Sequence, residues 1–321
     1  MRAAQLTAPK QWVLVEVDEP GDPAPGQTRV RLERTALCGT DKPAFMGVGG
    51  TYPLGVGTPG HEACGRVEAC PSGRFQEGDR VLLWGPDRPL YQECVLAPDE
   101  GQVPLPGDAD PNVVLMSQLL GTVIHCFYKL GNVINQDVVV LGQGPVGQLF
   151  CACLRNLGAR RIIAVDSVPS RLQVSLKMGA THTVDSNAAD VLQAVTDLTD
   201  GNLADIAVEA VGLTPSFNLA THLIKRRGDL VYFGVPNKET SDGVMALEFG
   251  RAFNNETRII TSVGPNPQRD YTIARDWIVQ GRVDVRPMLT HVLPFEQIQR
   301  GFDMFFLDPA GSGAIKVVLE F

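Results

Sequence analysis

Residues 137–147 read Asp-Val-Val-Val-Leu-Gly-Gln-Gly-Pro-Val-Gly, and they constrain the fold more than any other segment. Val138 to Leu141 is short, apolar and β-branched, as a strand buried on both faces should be. Gly142, Gly144 and Gly147 follow at G-x-G-x-x-G spacing. Pro145 stands where a helix can begin without its missing N–H. Val146, Leu149, Phe150, Cys153, Leu154 and Leu157 recur at helical spacing, and Gly158 closes the run. A second apolar strand, Ile162 to Val165, then delivers Asp166, about 20 residues beyond the last glycine.

Each part of this strand–turn–helix–strand unit has a mechanical reason. Gly142 allows a tight turn, Gly144 lets backbone approach a pyrophosphate, and Gly147 lets the helix lie close to the strand. The helix N-terminus, at Pro145 and Val146, offers free N–H groups and partial positive charge to phosphates. Asp166 can accept hydrogen bonds from both hydroxyls of a ribose and would repel a 2′-phosphate, which favours NAD over NADP. Arg171 either neutralises such a phosphate or lies along the NAD ribose. A glycine-rich turn with no ligand would leave Asp166 unexplained.

A second constellation lies upstream. Cys38-Gly39-Thr40-Asp41 and Gly60-His61-Glu62 bring a thiol, an imidazole and a carboxylate, with a hydroxyl beside the thiol. These are the parts of a zinc site that polarises an alcohol, with three or four mixed ligands and room for water or substrate. Cys38 and His61 are too far apart in sequence for a local zinc finger, so the fold has to bring them together.

With both constellations in view, the chain resembles the zinc-dependent medium-chain alcohol, polyol and sugar dehydrogenases nearly end to end. Gly60-His61-Glu62-Ala63 and Glu77-Gly78-Asp79-Arg80-Val81 resemble that family's catalytic domain. Asp205-Ile-Ala-Val-Glu209-Ala-Val211-Gly212 and Gly228 to Gly234 resemble its later cofactor-domain strands, and Gly313 to Leu319 its last strand. The resemblance implies an α/β protein, a doubly wound parallel Rossmann domain plus a β-rich GroES-like catalytic domain. It also implies roles. Cys38 and His61 are zinc ligands, Thr40 takes the substrate hydroxyl proton, and Asp41 orients the His61 ring. Glu62 is a direct ligand or exchanges with water; the alternative is a buried acid paired with a basic side chain. Val211 and Lys316 are cofactor contacts, Lys316 at the pyrophosphate.

Three departures from the family pattern follow. The usual third ligand aligns with Gln118, whose neutral amide oxygen is a weaker donor than carboxylate or thiolate. The expected set is Cys38, His61, Glu62 and Gln118, against a Gln118 that merely caps a helix. Pro43 replaces the histidine that ends the proton relay in many relatives, which tilts the substrate towards a sugar or polyol. Between Arg80 and Leu105 only Cys94 is present, so one catalytic zinc and no structural zinc is expected. Trp84, in the shortened lobe, either lines the substrate pocket or packs on Pro86 or Pro89.

Composition narrows the remaining classes. A chain of 321 residues suits two domains, here 1–117 with 263–321 for the catalytic part and 118–262 for the Rossmann part. Net charge is −8 with no basic stripe, which argues against nucleic acid. No stretch approaching about 18 apolar residues is evident, and the N-terminus lacks an apolar leader, so no membrane segment is expected. Seven scattered cysteines fit a reducing cytoplasm; Cys64, Cys70, Cys126, Cys151 and Cys153 read as buried small hydrophobes. Tyr271 to Gln280 reads as an amphipathic helix and Asn237 to Gly243 as a polar loop. The resemblance adds a homodimer or homotetramer. The expected reaction is hydride transfer between a secondary alcohol, polyol or sugar-like, and NAD. The alternatives are a zinc-free quinone or enone reductase, and a non-catalytic dinucleotide-binding relative.

Overall fold

The computed structural model describes residues 1–48, 50–85, 89–236 and 244–321. The chain divides into two compact units, one of Met1–Gly121, Asn266–Gln280 and Leu289–Phe321, the other of Thr122–Pro265 and Gly281–Met288. Asn237 to Gly243 and Pro86 lie outside the described residues.

The first unit opens with β1 (Arg2–Ala8) and β2 (Gln11–Glu16), an antiparallel pair. Next come β3 (Gln27–Ala36), β4 (Glu62–Ala69), β5 (Arg80–Trp84), β6 (Cys94–Pro98) and β7 (Val103–Leu105). On β3, Thr28, Val30 and Leu32 are buried while Arg29 and Arg31 between them are less so, the period of two that a one-sided sheet requires. Val30 and Leu32 pack with Ala63, Val67, Val81, Leu83, Leu90 and Val95 in one core. Gly65 lets β4 approach β3, because a Cβ there would collide with the Arg31 carbonyl.

The second unit contributes β8 (Asp137–Leu141), β9 (Arg161–Asp166), β10 (His182–Asp185), β11 (Ala204–Glu209), β12 (Ile224–Tyr232) and β13 (Arg258–Thr261). All their pairings are parallel, in the order β10-β9-β8-β11-β12-β13. All of β8 is buried, as its apolar run predicts. The order runs outward from β8 in one direction, then restarts from β8 in the other. Right-handed crossovers therefore place the connecting helices on opposite faces of the two halves, which is the doubly wound fold. The switch point falls between β8 and β11.

The last strands, β14 (Leu289–Pro294) and β15 (Lys316–Glu320), return to the first unit. Its larger sheet runs β14-β15-β3-β4-β5-β7, with β6 also on β3. The amphipathic segment near 271–280 is helical over Thr272–Val279.

Two expectations need correction. The stretch Pro111–Leu130 is long and apolar enough to cross a membrane by length and composition, with mean hydropathy 1.4. It was missed because Pro111 and Ser117 punctuate it into two abutting helices, Pro111–Leu115 and Ser117–Leu130. Since 78% of that window is buried within the protein, it serves as core. Cys70 is part-exposed, because its thiol lies among Thr28, Ser72 and Asp99 at the polar end of β4.

Arg80 ties the first unit together from inside. It is 5% exposed and grips both oxygens of Glu33 (Nε to Oε2 2.6 Å, Nη2 to Oε1 3.1 Å), and its Nη1 donates to the carbonyls of Pro106 and Ala109. Burial works against the Glu33 carboxylate, but Arg80 and then Arg66 outweigh it and hold its pKa below the ordinary 4.5. A depressed carboxylate stabilises the fold above its unfolded pKa, and that contribution fades as pH falls through the lower folded value. Arg80→Met should cost about 1–3 kcal/mol, since it removes the hydrogen bonds to Glu33 and to two carbonyls while Arg66 still pairs with the part-exposed carboxylate. Melting temperatures taken at neutral pH and below pH 4.5 should also fall more steeply in wild type than in Glu33→Gln.

Candidate functional site

The second unit places its glycine turn at the end of β8. Gly142 has φ +87, and its N–H donates to the Val165 carbonyl of β9 at 2.8 Å. A Cβ on Gly142 would lie 2.7 Å from Val211 Cγ2, so Val211, from the turn after β11, closes over the loop at the switch point. Gly144 caps the helix Pro145–Leu157, and space around it is open. A Cβ on Gly147 would collide with the Gly142 carbonyl. The three glycines thus serve turning, open approach and close packing respectively. Pro145 is the first helical residue, with Val146 after it, and Gly158 ends the helix at φ +89.

Asp166, at the end of β9, accepts from the Gln143 N–H at 2.5 Å and from the Val168 N–H at 2.8 Å. Arg171 Nη1 lies 4.0 Å from its carboxylate. The acid is therefore braced by the loop it would serve. Glu209, which the sequence reading left without a role, is wholly buried at the end of β11. Its Oε1 accepts from the N–H groups of Val211 and Gly212, both at 2.9 Å, and from Ser216 Oγ at 2.7 Å. It pins the turn that carries Val211. An acid closing an apolar strand is the one sequence signal that could have marked it.

In the first unit, Cys38 follows β3 and opens the helical turn Gly39–Asp41, while His61 and Glu62 stand at the start of β4. One donor atom from each of Cys38, His61 and Glu62 lies within 4.8 Å of the others. The Thr40 hydroxyl bridges the same group, 3.2 Å from Cys38 Sγ and 3.1 Å from His61 Nε2. Asp41 Oδ1 lies 3.2 Å from His61 Nδ1, which is also 3.1 Å from the Pro59 carbonyl. Burial disfavours the imidazolium, but the charges of Cys38 and Asp41 outweigh it and push the His61 pKa up to about 12. A divalent ion would thus displace a proton from this ring.

Glu62 and Lys316 are both wholly buried and paired, Oε2 to Nζ at 2.6 Å, and the same ammonium donates to the Leu37 carbonyl at 2.8 Å. For Glu62 the structure shows the alternative, an acid paired with a base, and places that acid beside the sulfur and the imidazole. Its other oxygen, Oε1, is buried with no hydrogen-bond partner among the described residues. A thiol, an imidazole and an orphaned carboxylate oxygen form a donor set that suits a zinc-type ion. The expectation of Lys316 as a pyrophosphate contact is corrected. Its ammonium is sealed inside the first unit because the buried Glu62 charge needs compensation.

Gln118 is also buried, and its Nε2 donates to the Tyr271 hydroxyl at 3.3 Å. Tyr271 packs edge-on against Trp84, with ring centroids 5.6 Å apart, and the Trp84 indole N–H donates to the Gly101 carbonyl at 2.8 Å. Trp84 therefore supports Tyr271 and, through it, Gln118. Pro43 falls at the start of the short helix Lys42–Met46.

The Lys316–Glu62 pair generates a direct test. Lys316→Met in metal-free protein should cost about 3–5 kcal/mol by chemical unfolding, because it strands a buried carboxylate. Adding Glu62→Gln should recover a large part of that loss.

Comparison with known proteins agrees with this geometry. The zinc-binding dehydrogenase family matches residues 145–280, and the alcohol dehydrogenase GroES-like domain matches residues 24–107. An L-threonine 3-dehydrogenase from Rhizobium rhizogenes is 25% identical over 355 aligned positions, covering 100% of this chain and 98% of its own length. The solved alcohol dehydrogenase from Thermus sp. ATN1 superposes with TM-score 0.88 at 23% identity, covering 100% of both chains. Galactitol-1-phosphate dehydrogenase from Escherichia coli gives 0.87 at 21% identity, again over 100% of both. With a glycine turn at the end of a parallel sheet's strand, a Cys–His–Glu donor group and two family matches in the expected order, the chain belongs to the zinc-dependent medium-chain dehydrogenases.

Proposed function

We propose that this protein is a zinc-dependent oxidoreductase that exchanges a hydride between a secondary alcohol, of polyol or sugar type, and NAD. The observation that carries the reading is the convergence of Cys38, His61 and Glu62 within 4.8 Å, with the Thr40 hydroxyl against two of them. A bound zinc supplies Lewis acidity to a substrate hydroxyl, and a nicotinamide accepts or returns the hydride.

The chain's own residues do the rest. Cys38, His61 and Glu62 Oε1 would hold the ion, and the Gln118 amide would be a further donor. The Thr40 hydroxyl, exposed beside the sulfur, would accept the substrate hydroxyl proton while passing its own onward, as a relay. Pro43 offers no side-chain base for the next step, which favours substrates bearing neighbouring hydroxyls or a water path. Asp166, held by two backbone N–H groups, is set to receive a ribose diol and to repel a 2′-phosphate. The donor group weighs against a zinc-free enone reductase, which needs no thiol and imidazole side by side.

The reading extends to assembly and compartment. β13 is an edge strand with Ile259 37% exposed, and Val263 just beyond it is 87% exposed. Phe249 and Phe253 are exposed as well. An open strand edge flanked by apolar side chains suits pairing with a second copy, as a dimer or tetramer. A monomer mass by light scattering would refute that. Seven free cysteines suit a reducing cytoplasm.

A screen of polyols, sugars and simple alcohols with NAD and with NADP, on protein purified without chelator, tests the central claim. Stoichiometric zinc and NADH formation are expected; an active protein free of metal would defeat it. Asp166→Ala should lower the preference for NAD over NADP by roughly tenfold or more, the value of one or two lost charged hydrogen bonds. The kcat/KM ratio for the two cofactors measures it.

A further inference from the structure

Tyr91 is wholly buried between the Gly57–Gly60 turn and β6. Its backbone N–H donates to the Gly57 carbonyl at 3.0 Å, and its carbonyl accepts from the Ala4 N–H at 3.0 Å. The ring stands edge-on to Trp12 at 5.3 Å and to Phe302 at 5.7 Å. Gly60, the residue before His61, lies flat against it: a Cβ there would be 2.9 Å from the ring. Packing alone would be served by phenylalanine. The hydroxyl is a different matter, since a buried phenol needs a polar partner.

That partner is Asp41. Tyr91 donates to Asp41 Oδ2 at 2.8 Å, and the same oxygen accepts from the Cys38 N–H at 3.0 Å. Oδ1 is left facing His61 Nδ1 at 3.2 Å and has no other hydrogen-bond partner among the described residues. One carboxylate thus touches the backbone of one donor residue and the ring of another. The ring has a choice, because the neutral Pro59 carbonyl competes for the Nδ1 proton at 3.1 Å. Two donors on Oδ2 fix the rotation of the carboxylate and keep Oδ1, with its charge, on the Nδ1 side.

We infer that Tyr91 is a positioning residue for the metal centre, its hydroxyl holding Asp41 so that Oδ1 faces the Nδ1 edge of His61 and Nε2 is left for the ion. Burial and then the Asp41 charge hold the phenol well above its ordinary pKa, so it remains a donor throughout the working range. Partners one step behind a ligand set its tautomer and ring orientation, and their loss costs roughly 10- to 100-fold in metal affinity. Tyr91 acts one bond further back, so its effect belongs at the lower end.

The inference rests on the zinc reading of Cys38, His61 and Glu62, and the experiment separates the two. Zinc affinity is measured on the full chain by competition with a chromophoric chelator, for wild type, Tyr91→Phe, Asp41→Asn and the double variant, with melting temperatures alongside. The expected result is an affinity about tenfold weaker in Tyr91→Phe, and a double variant no weaker than Asp41→Asn alone. If Tyr91→Phe binds zinc within about twofold of wild type, the tyrosine is only filling space, whatever happens to its melting temperature. Additive losses in the double variant would mean that it does not act through Asp41. A wild type that takes up no zinc removes the metal reading itself, and this inference with it.

Discussion

The contact on which the first unit's chemistry depends is the ion pair between Lys316 and Glu62. A carboxylate removed from water costs several kcal/mol unless it is matched, and here the match comes from the last strand of the chain. The same ammonium caps the Leu37 carbonyl next to Cys38. One cation therefore joins the ends of β3, β4 and β15 at the point where the sulfur, imidazole and carboxylate donors converge. Because it occupies only Oε2, it leaves Oε1 for another partner. Stability and chemistry share the group, which explains how an acid with no access to water persists in the core.

A common device runs through both units. Asp41, Asp166 and Glu209 are buried carboxylates at the ends of strands or just past them, and each accepts backbone N–H groups from the loop that follows or adjoins it. A carboxylate has about four lone-pair sites. It can hold a loop with some and present the remainder to a ring nitrogen, a ribose or an ion. Loops that carry function are thereby fixed without a hydrophobic face of their own.

The dinucleotide-type unit was legible because its information is local. Gly142 and Gly147 each satisfy a steric demand that only glycine meets, Gly144 leaves open space between them, and Asp166 follows one helix later, so spacing alone exposed the motif. The Cys–His–Glu group was legible by residue type and family likeness, though not by spacing, since only the pairing of β3 with β4 brings its members together. What escaped the sequence is long-range pairing. Lys316 reads as a pyrophosphate contact until its distant acid is known. Tyr91 and Tyr271 carry no signal of their roles in the sequence, because a hydroxyl's partner in another segment leaves no periodic trace. Cys70 and the 111–130 stretch were misjudged for a related reason: burial is decided by neighbours, and hydropathy along the chain does not name them.

Glu62 and Lys316 are separated by 254 positions in a polypeptide of 321. During synthesis, the sulfur, the imidazole and the acid emerge early and wait for the final strand to neutralise one of them. Closure of the sheet by β15 and neutralisation of Glu62 are consequently one event, and a first unit folded without that strand would carry an uncompensated carboxylate beside the sulfur and the imidazole.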